Sequence, residues 1–196
     1  MRDRRFIAEH RGGPLKKEQH YQLIRWACDC AENVLPLFGE KIDERLKNAL
    51  NVAKEWKQGN ASVGDARKAS LDAIAVANES SNPTAIAVAR SVGHAVATAH
   101  MADHSLGAAL YALKAVKNAG KSIDEERKWQ DEQLPSEIRE LVLTARKSRK
   151  IQFERTTWSR LGSNGNQPVA LDPCHSSNAN LASTSERRSA SLATRS

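Results

Sequence analysis

Residues 82–120 read NPTAIAVARSVGHAVATAHMADHSLGAALYALKAVKNAG, and this stretch decides the fold class. It opens with an asparagine that can cap a helix and a proline at the first helical position, and it ends at a glycine. Almost every residue in between favours a helix, but the 37 residues 83–119 are long for one helix of a globular protein. We therefore predict two helices, with the break at the polar group from His100 to His104.

Small side chains dominate this stretch and the segment before it. Residues 61–119 contain eighteen alanines, together with Gly64, Gly93 and Gly107. Small side chains let helix backbones approach closely, and an alanine-lined core buries less apolar area per residue than a leucine-rich one. No run of four or more residues alternates apolar and polar positions with β-branched enrichment, so we predict no sheet. The expected fold is all-α, a compact bundle of six or seven antiparallel helices, with a solenoid-like stack as the alternative.

Capping residues and helix-breaking residues predict where the other helices begin and end. An apolar stripe over residues 16–38 is closed by Gly39. The remaining start signals are an N-cap at Asp43, capping-box patterns at Ser62 and Ser122, and a proline at position 135. We expect Val63 to lie on the inner side of the helix that opens at Ser62, and we expect the last helix to end near residue 150.

Residues 155–196 differ in composition from the rest of the chain. They contain nine serines, four asparagines and no lysine, whereas the preceding residues contain thirteen lysines. Isolated apolar residues cannot form a buried face that would offset the entropy of ordering. We therefore predict a helical domain over residues 1–154, followed by a disordered tail over 155–196 that is rich in serine and asparagine and contains arginine.

The net charge of +7 is divided between these two parts. The predicted tail has five arginines against two acids, and residues 1–154 carry 25 basic and 21 acidic side chains. The body is only mildly basic, so its charge does not by itself indicate nucleic-acid binding. No apolar run approaches the ~20 residues of a membrane helix, and no apolar stretch follows the basic N-terminus. We expect a cytoplasmic protein without a secretory signal.

Histidines and an aspartate cluster at the predicted helix break. His100 and His104 are four residues apart, which places both on one face of a helix, whereas His94 can join them only if the helix bends. We favour a polar cluster at a helix junction, in which each histidine is hydrogen-bonded to backbone or to Asp103. The alternative is a metal site on His94, His100, Asp103 and His104. His100 and His104 alone fall short of the three or four protein ligands that zinc sites use.

Two further groups lie on the first predicted helix. Cys30 belongs to the apolar stripe, and we interpret it as a buried thiol that acts as a small hydrophobe. Cys28 and Cys30 point in different directions on a helix, so they do not form a redox pair. Asp29 lies beside the stripe and needs a partner, for which Arg11, Arg25 or a histidine are the candidates.

The segment before this helix reads HRGGPL over residues 10–15. It lacks the strand and the Lys-Ser/Thr pair of a phosphate-binding loop, so we interpret it as a tight turn in a structured N-terminal arm. His10 and Arg11 are expected to contribute hydrogen bonds there. The basic run at residues 146–150 is interpreted as a solvated helix end, because no aromatic residues or nucleic-acid-binding motif accompany it.

Several of these segments together resemble a bacterial immunity protein family, over roughly residues 10–150. The segments are HRGGPL (10–15), WACDCAE (26–32), LPLF (35–38), SVGDARKA (62–69) and GHAVATAHMADH (93–104). The resemblance implies a small, all-helical, cytoplasmic protein that binds and neutralises a toxin of a competing bacterium. The residues after about 154 do not resemble the family.

The resemblance suggests a binding protein rather than an enzyme, with a cognate toxin as its partner. No residue is predicted to be catalytic, and no cofactor, membrane or nucleic-acid partner is expected. A metal-dependent enzyme or metal-binding protein is the first alternative, and a nucleic-acid-associated protein is the second. The candidate binding residues are His10, Arg11, Asp29, His94, His100, Asp103 and His104.

Overall fold

The structure is a computed structural model that describes residues 3–161, with side chains for residues 3–148. The chain divides into two units, Met1–Phe153 and Glu154–Ser196, and the core lies in the first. The described part contains seven α-helices and no strand, which confirms the all-α prediction. The helices are α1 (Lys17–Val34), α2 (Glu44–Gln58), α3 (Val63–Glu79), α4 (Pro83–Ala97), α5 (His104–Asn118), α6 (Ile123–Glu132) and α7 (Ser136–Leu161).

The helices begin and end at the predicted caps. Asp43 accepts a hydrogen bond from the second backbone amide of α2, and Gly59 ends that helix with a φ of +84°. Ser62 and Asp65 form the reciprocal capping box at the start of α3, with contacts of 3.1 and 2.9 Å. Asn82 caps α4 through its side-chain oxygen, directly before the proline. Local capping chemistry therefore sets the helix boundaries.

Helix α4 lies at the centre of the described unit and contacts α1, α2, α3 and α5. Eleven of its fifteen residues are buried, and all of them are Ala, Val, Ser, Gly or His. A Cβ atom at Gly93 would lie 2.7 Å from Ile74 Cδ1 and 3.3 Å from the Ser70 carbonyl oxygen of α3. The small residues of α4 are thus what permits four neighbouring helices to surround it.

Two apolar clusters form the core around this central helix. The first joins α1, α2, α3 and α4, and most of its members are alanine or valine. The second joins the N-terminal arm with α1, α4, α5 and α7, and it includes the fully buried Trp26 and Ile138. Cys28 and Cys30 are buried in different clusters, as expected from their opposite directions on α1.

Two expectations about the helices are wrong. Val63 is 47% exposed, because the first turn of α3 lies at the surface, where Gly64 and Asp65 are exposed as well. Helix α7 continues to Leu161 instead of ending near residue 150. Of the predicted disordered tail, residues 162–196 lie outside the described residues, and its boundary with the domain stays a prediction. The antiparallel arrangement and the solenoid-like alternative also stay predictions.

Within residues 3–161, no helix is both long enough and apolar enough to cross a membrane.

Candidate functional site

The chain breaks between α4 and α5 at residues 98–103, where the sequence predicted it. Thr98 ends α4 by donating from its backbone amide and its hydroxyl to the carbonyl of His94, at 3.2 and 3.1 Å. Helix α5 then begins at His104. Because the chain turns here, the last turn of α4 and the first turn of α5 lie side by side.

This turn brings two histidines together that a continuous helix would separate. The Nδ1 atoms of His94 and His104 are 3.1 Å apart, and their ring centroids are 5.1 Å apart. Since two N–H groups cannot share a hydrogen bond, at least one of these nitrogens carries no proton. Direct contact between two imidazoles is therefore part of the cluster.

The ring of His94 is confined on two further sides. It stacks on Tyr111 of α5, with an interplanar angle of 22° and a centroid distance of 5.2 Å. A Cβ atom at Gly107 would lie 2.7 Å from His94 Nδ1, so only glycine leaves room for the ring. Arg90 donates to the Tyr111 hydroxyl at 3.3 Å and lies over the tyrosine ring. His94 is thus held by α5 rather than exposed as a ligand.

His100 lies in the turn itself, with its ring centroid 5.1 Å from that of His104. The pKa of His100 is lowered to about 4, mainly by burial and also by the neighbouring His104, Arg67 and Arg11, against the opposing effect of Asp103. Its Nδ1 atom is buried without a hydrogen-bond partner among the described residues. The imidazole is therefore neutral at physiological pH.

The N-terminal arm closes over this turn. Arg11 donates from its guanidinium to the carbonyl oxygen of His100 at 3.4 Å, across 89 residues of sequence. The arm is held by Phe6 and Leu15, which are both buried, and by a bridge between Ala8 and Leu15. This geometry confirms the prediction of a structured arm at residues 10–15 to which Arg11 contributes a hydrogen bond.

The tight turn of the arm depends on its two glycines. Gly12 has a φ of +77°, in the left-handed region that favours glycine. A Cβ atom at Gly13 would lie 1.9 Å from the carbonyl oxygen of Ile7, which leaves no space for a side chain. The turn orients His10 and Arg11 toward the α4–α5 break.

His20 of α1 completes the site, although the sequence patterns did not lead us to predict it. Its Nε2 atom lies 2.6 Å from the carbonyl oxygen of Thr98, and since a carbonyl can only accept, Nε2 is the donor. The ring also packs against Trp56 at 5.2 Å, and burial lowers the pKa of His20. One signal was present: His20 lies three and four residues before Leu23 and Ile24 on the buried face of α1.

These groups surround one pocket with a volume of about 230 Å³. Its apolar part is formed by Phe6, Ala8 and Ala102. The other side chains that matter for its chemistry are His10, Arg11, His20, His100, Met101 and Asp103. Of the seven candidate binding residues, four therefore line the pocket, namely His10, Arg11, His100 and Asp103.

The other three candidates lie elsewhere. His94 and His104 form the layer behind His100. Asp29 does not line the pocket; its carboxylate pairs with Arg25 at 4.0 Å, and burial raises its pKa. Arg25 is one of the three partners that the sequence suggested for Asp29.

The histidine cluster does not provide a metal centre of the usual kind. Within residues 3–148, no group of three or more His, Cys, Asp or Glu side chains is arranged to hold a metal ion. The short contact between His94 and His104 shows instead that these imidazoles bond to each other. The favoured prediction, in which each histidine bonds to backbone or to Asp103, did not include this contact between two imidazoles.

A second buried polar group was also missed, because Arg146 was interpreted as part of a solvated helix end. Its guanidinium lies over the Trp26 ring, with its central carbon 5.0 Å from the ring centroid. It donates to Gln130 Oε1 at 2.5 Å and pairs with Asp131. Gln130 is fully buried and also donates to Glu126. Arg146 therefore connects α1, α6 and α7 and is not a free surface charge.

Comparison with known proteins identifies the family of this chain. The family model described as "Imm-5 like putative immunity protein" matches residues 13–137, which is more than half of the chain. The chain belongs to this family. No curated protein and no solved structure matches the chain.

The Imm-5 like match includes half of the residues that line the pocket. His20, His100, Met101 and Asp103 fall within the matched residues, whereas His10 and Arg11 lie just before them. The family membership confirms the resemblance drawn from the sequence motifs. Residues 138–161 of α7, which include Arg146, lie outside the match.

Proposed function

We propose that this protein neutralises a bacterial toxin by binding it, in the cytoplasm of the cell that makes both proteins. Membership of the Imm-5 like family is the observation that carries this proposal. An immunity protein needs a rigid surface complementary to its toxin, and it does not need a catalytic constellation. The proposal therefore describes a binding protein and not an enzyme.

The fold suits such a role because its surfaces rest on a rigid interior. Helix α4 is surrounded by four helices, and two buried clusters hold the unit on either side of it. Partners that associate without large backbone changes lose less entropy on binding. A preorganised surface on α1–α7 would therefore favour tight association with one partner.

We further propose that the pocket and its rim are part of the binding surface. His10 and Arg11 are exposed at its edge, while His100 and Asp103 are partly buried within it. The pocket combines polar groups from the arm with groups from the α4–α5 turn, which are brought together only by folding. Asp29, His94 and His104 would support the fold rather than contact the toxin.

The test begins with the genes next to the one that encodes this protein. An effector gene found there would be expressed with and without this protein in a sensitive host, and the purified pair would be examined by size-exclusion chromatography. We expect growth to be restored on co-expression and a stable complex to form. A folded, well-expressed protein that neither restores growth nor forms a complex would contradict the proposal.

Variants can then locate the binding surface. Arg11→Gln and His10→Gln should weaken rescue if the pocket rim contacts the toxin, and Lys128→Gln on the exposed face of α6 provides the control. If both rim variants restore growth fully, the protein still neutralises the toxin, but the pocket rim is not part of the surface that binds it. The described residues offer no observation that favours the metal-dependent or the nucleic-acid alternative, and we propose no second function.

A further inference from the structure

The pocket between the N-terminal arm and the α4–α5 turn has a size that restricts its occupant. Its volume is about 230 Å³. Pockets for drug-sized ligands are typically about 300–1,000 Å³. A single side chain or a small metabolite fits this space.

The charges around the pocket are mainly positive. His100 is faced by Arg11 from the arm, by Arg67 from α3 and by His104 from α5, and within the described residues Asp103 is the acid that opposes them. Burial is the largest cause of the lowered pKa of His100, and these positive charges add to it, so a positive charge at this position is disfavoured. The positive charges, unlike burial, would stabilise a negative charge placed in the pocket.

The pocket also provides hydrogen-bond donors. Arg11 uses one of its five N–H donors on the His100 carbonyl, which leaves others for an anion that enters beside it. The His100 imidazole also lines the pocket, and its Nδ1 atom is buried without a hydrogen-bond partner among the described residues. His10 lies exposed at the rim.

We propose that this pocket binds a carboxylate group and that binding is coupled to the uptake of a proton by the histidines of the pocket. The proposal goes beyond toxin neutralisation and stands whether or not the protein neutralises a toxin. The carboxylate can come from an acidic side chain of a protein partner or from a free small carboxylate. Both sources present the same group to Arg11 and the imidazoles.

The coupling to proton uptake follows from the protonation states of His20 and His100, the two inner histidines of the pocket. His20 donates from Nε2 to the Thr98 carbonyl, so in the neutral ring Nδ1 is an acceptor and cannot bond to a carboxylate. Burial lowers the pKa values of both His20 and His100, which keeps both rings neutral in the unliganded protein. A carboxylate nearby raises the pKa of an imidazole, and protonation converts its acceptor nitrogen into a donor.

The test uses the full-length protein and proton NMR of the histidine Cε1–H signals, assigned with His20→Gln and His100→Gln. The probes are acetate and the blocked residue N-acetyl-glutamate amide, and the neutral control is N-acetyl-glutamine amide, all at constant ionic strength. We expect both carboxylates to shift the His20 and His100 signals with dissociation constants in roughly the millimolar range for such small ligands. Binding should be roughly threefold to tenfold tighter at pH 6 than at pH 8.

Matched variants connect the binding to the pocket. Arg11→Gln should weaken binding of N-acetyl-glutamate amide by about tenfold, whereas Arg127→Gln on exposed α6 should not change it. Circular dichroism and the thermal midpoint would verify that both variants fold. Unchanged affinity in a folded Arg11→Gln protein would overturn the proposal.

The probes also distinguish the two sources of the carboxylate. Comparable binding of acetate and N-acetyl-glutamate amide supports an acidic side chain of a partner. Binding of acetate without binding of the blocked residue supports a free carboxylate. Equal shifts with N-acetyl-glutamine amide, or shifts that sodium chloride alone reproduces, would show that the pocket does not select a carboxylate. Because these titrations need no toxin, their failure is distinct from a failure of neutralisation.

Discussion

His94 and His104 are joined by a contact of 3.1 Å between their Nδ1 atoms, across the break that separates α4 from α5. The contact exists because the chain turns at residues 98–103, between the two helices. Tyr111 covers one face of the His94 ring, and Gly107 leaves the space in which the ring lies. The turn, the glycine and the tyrosine together position the histidine layer behind the pocket.

The first prediction concerns Gly107→Ala. The new Cβ atom would lie 2.7 Å from His94 Nδ1 and 3.0 Å from its Cγ, so the ring must move from its present position. We expect the free energy of unfolding, measured with urea, to fall by about 1–3 kcal/mol, as for other overpacked cores. The matched control is Gly64→Ala in α3, where the nearest atom is Ser62 Oγ at 3.4 Å. Helix propensity alone should make the control neutral or stabilising by up to about 1 kcal/mol.

The second prediction concerns the pH dependence of stability through His100. Its pKa is about 4 in the folded protein against an ordinary value of 6.5. Between these values the unfolded chain binds more protons than the folded one, so the free energy of unfolding falls as the pH falls from 6.5 toward 4. The expected contribution is about 1–3 kcal/mol, reduced because the ring is partly exposed.

Urea unfolding of wild type and His100→Gln at several pH values between 7.5 and 4.5 would measure this contribution. The difference between the two proteins should shrink as the pH falls, because the variant lacks the titrating imidazole. His175→Gln, in the predicted tail, is the control and should parallel wild type. A constant difference between wild type and His100→Gln across this range would contradict the prediction.

The third prediction concerns Arg146, which connects three helices through Trp26, Gln130 and Asp131. Arg146→Met keeps much of the apolar stem but leaves Gln130 Oε1 and the Asp131 carboxylate without this partner. We expect a loss of about 2–4 kcal/mol in the free energy of unfolding, because a buried polar partner is removed. Lys147→Met, at the exposed neighbouring position, should change stability by less than about 0.5 kcal/mol.

The fourth prediction concerns the thiols of α1. Burial raises the pKa of Cys28 to about 12 and raises that of Cys30 well above its usual value, so neither forms a thiolate at pH 8. In a Cys174→Ser protein, we expect Ellman's reagent to find no reactive thiol under native conditions and two after denaturation. Rapid modification of either cysteine in the folded protein would show that α1 is less well packed than the structure indicates.

Much of the helical framework follows from short-range patterns. The caps at Asp43, Ser62 and Asn82 lie where the sequence predicted them. A capping residue acts on amides only two or three positions away, so its effect is present in the local sequence. The break between α4 and α5 was also predicted from local features. Residues 83–119 are long for one helix, and the polar group from His100 to His104 lies near the middle of this stretch.

Burial at particular positions was less predictable. Val63 has the right residue type and period for the core, but the first turn of α3 is exposed. Arg146 has the composition of a surface residue, and only the proximity of Trp26 and Gln130 explains its burial. Both errors arise because residue type reports a tendency, whereas exposure depends on what packs against the position.

The sequence by itself determined that this protein is all-α, where most of its helices begin and end, and which family it belongs to. These properties reside in residues a few positions apart and in motifs with a fixed order. The tertiary structure alone decided that Arg11 reaches His100 across 89 residues and that His20 reaches Thr98 across 78. No local period encodes such pairs, because they depend on how the helices pack. The pocket and its chemistry therefore emerged only when the chain was folded.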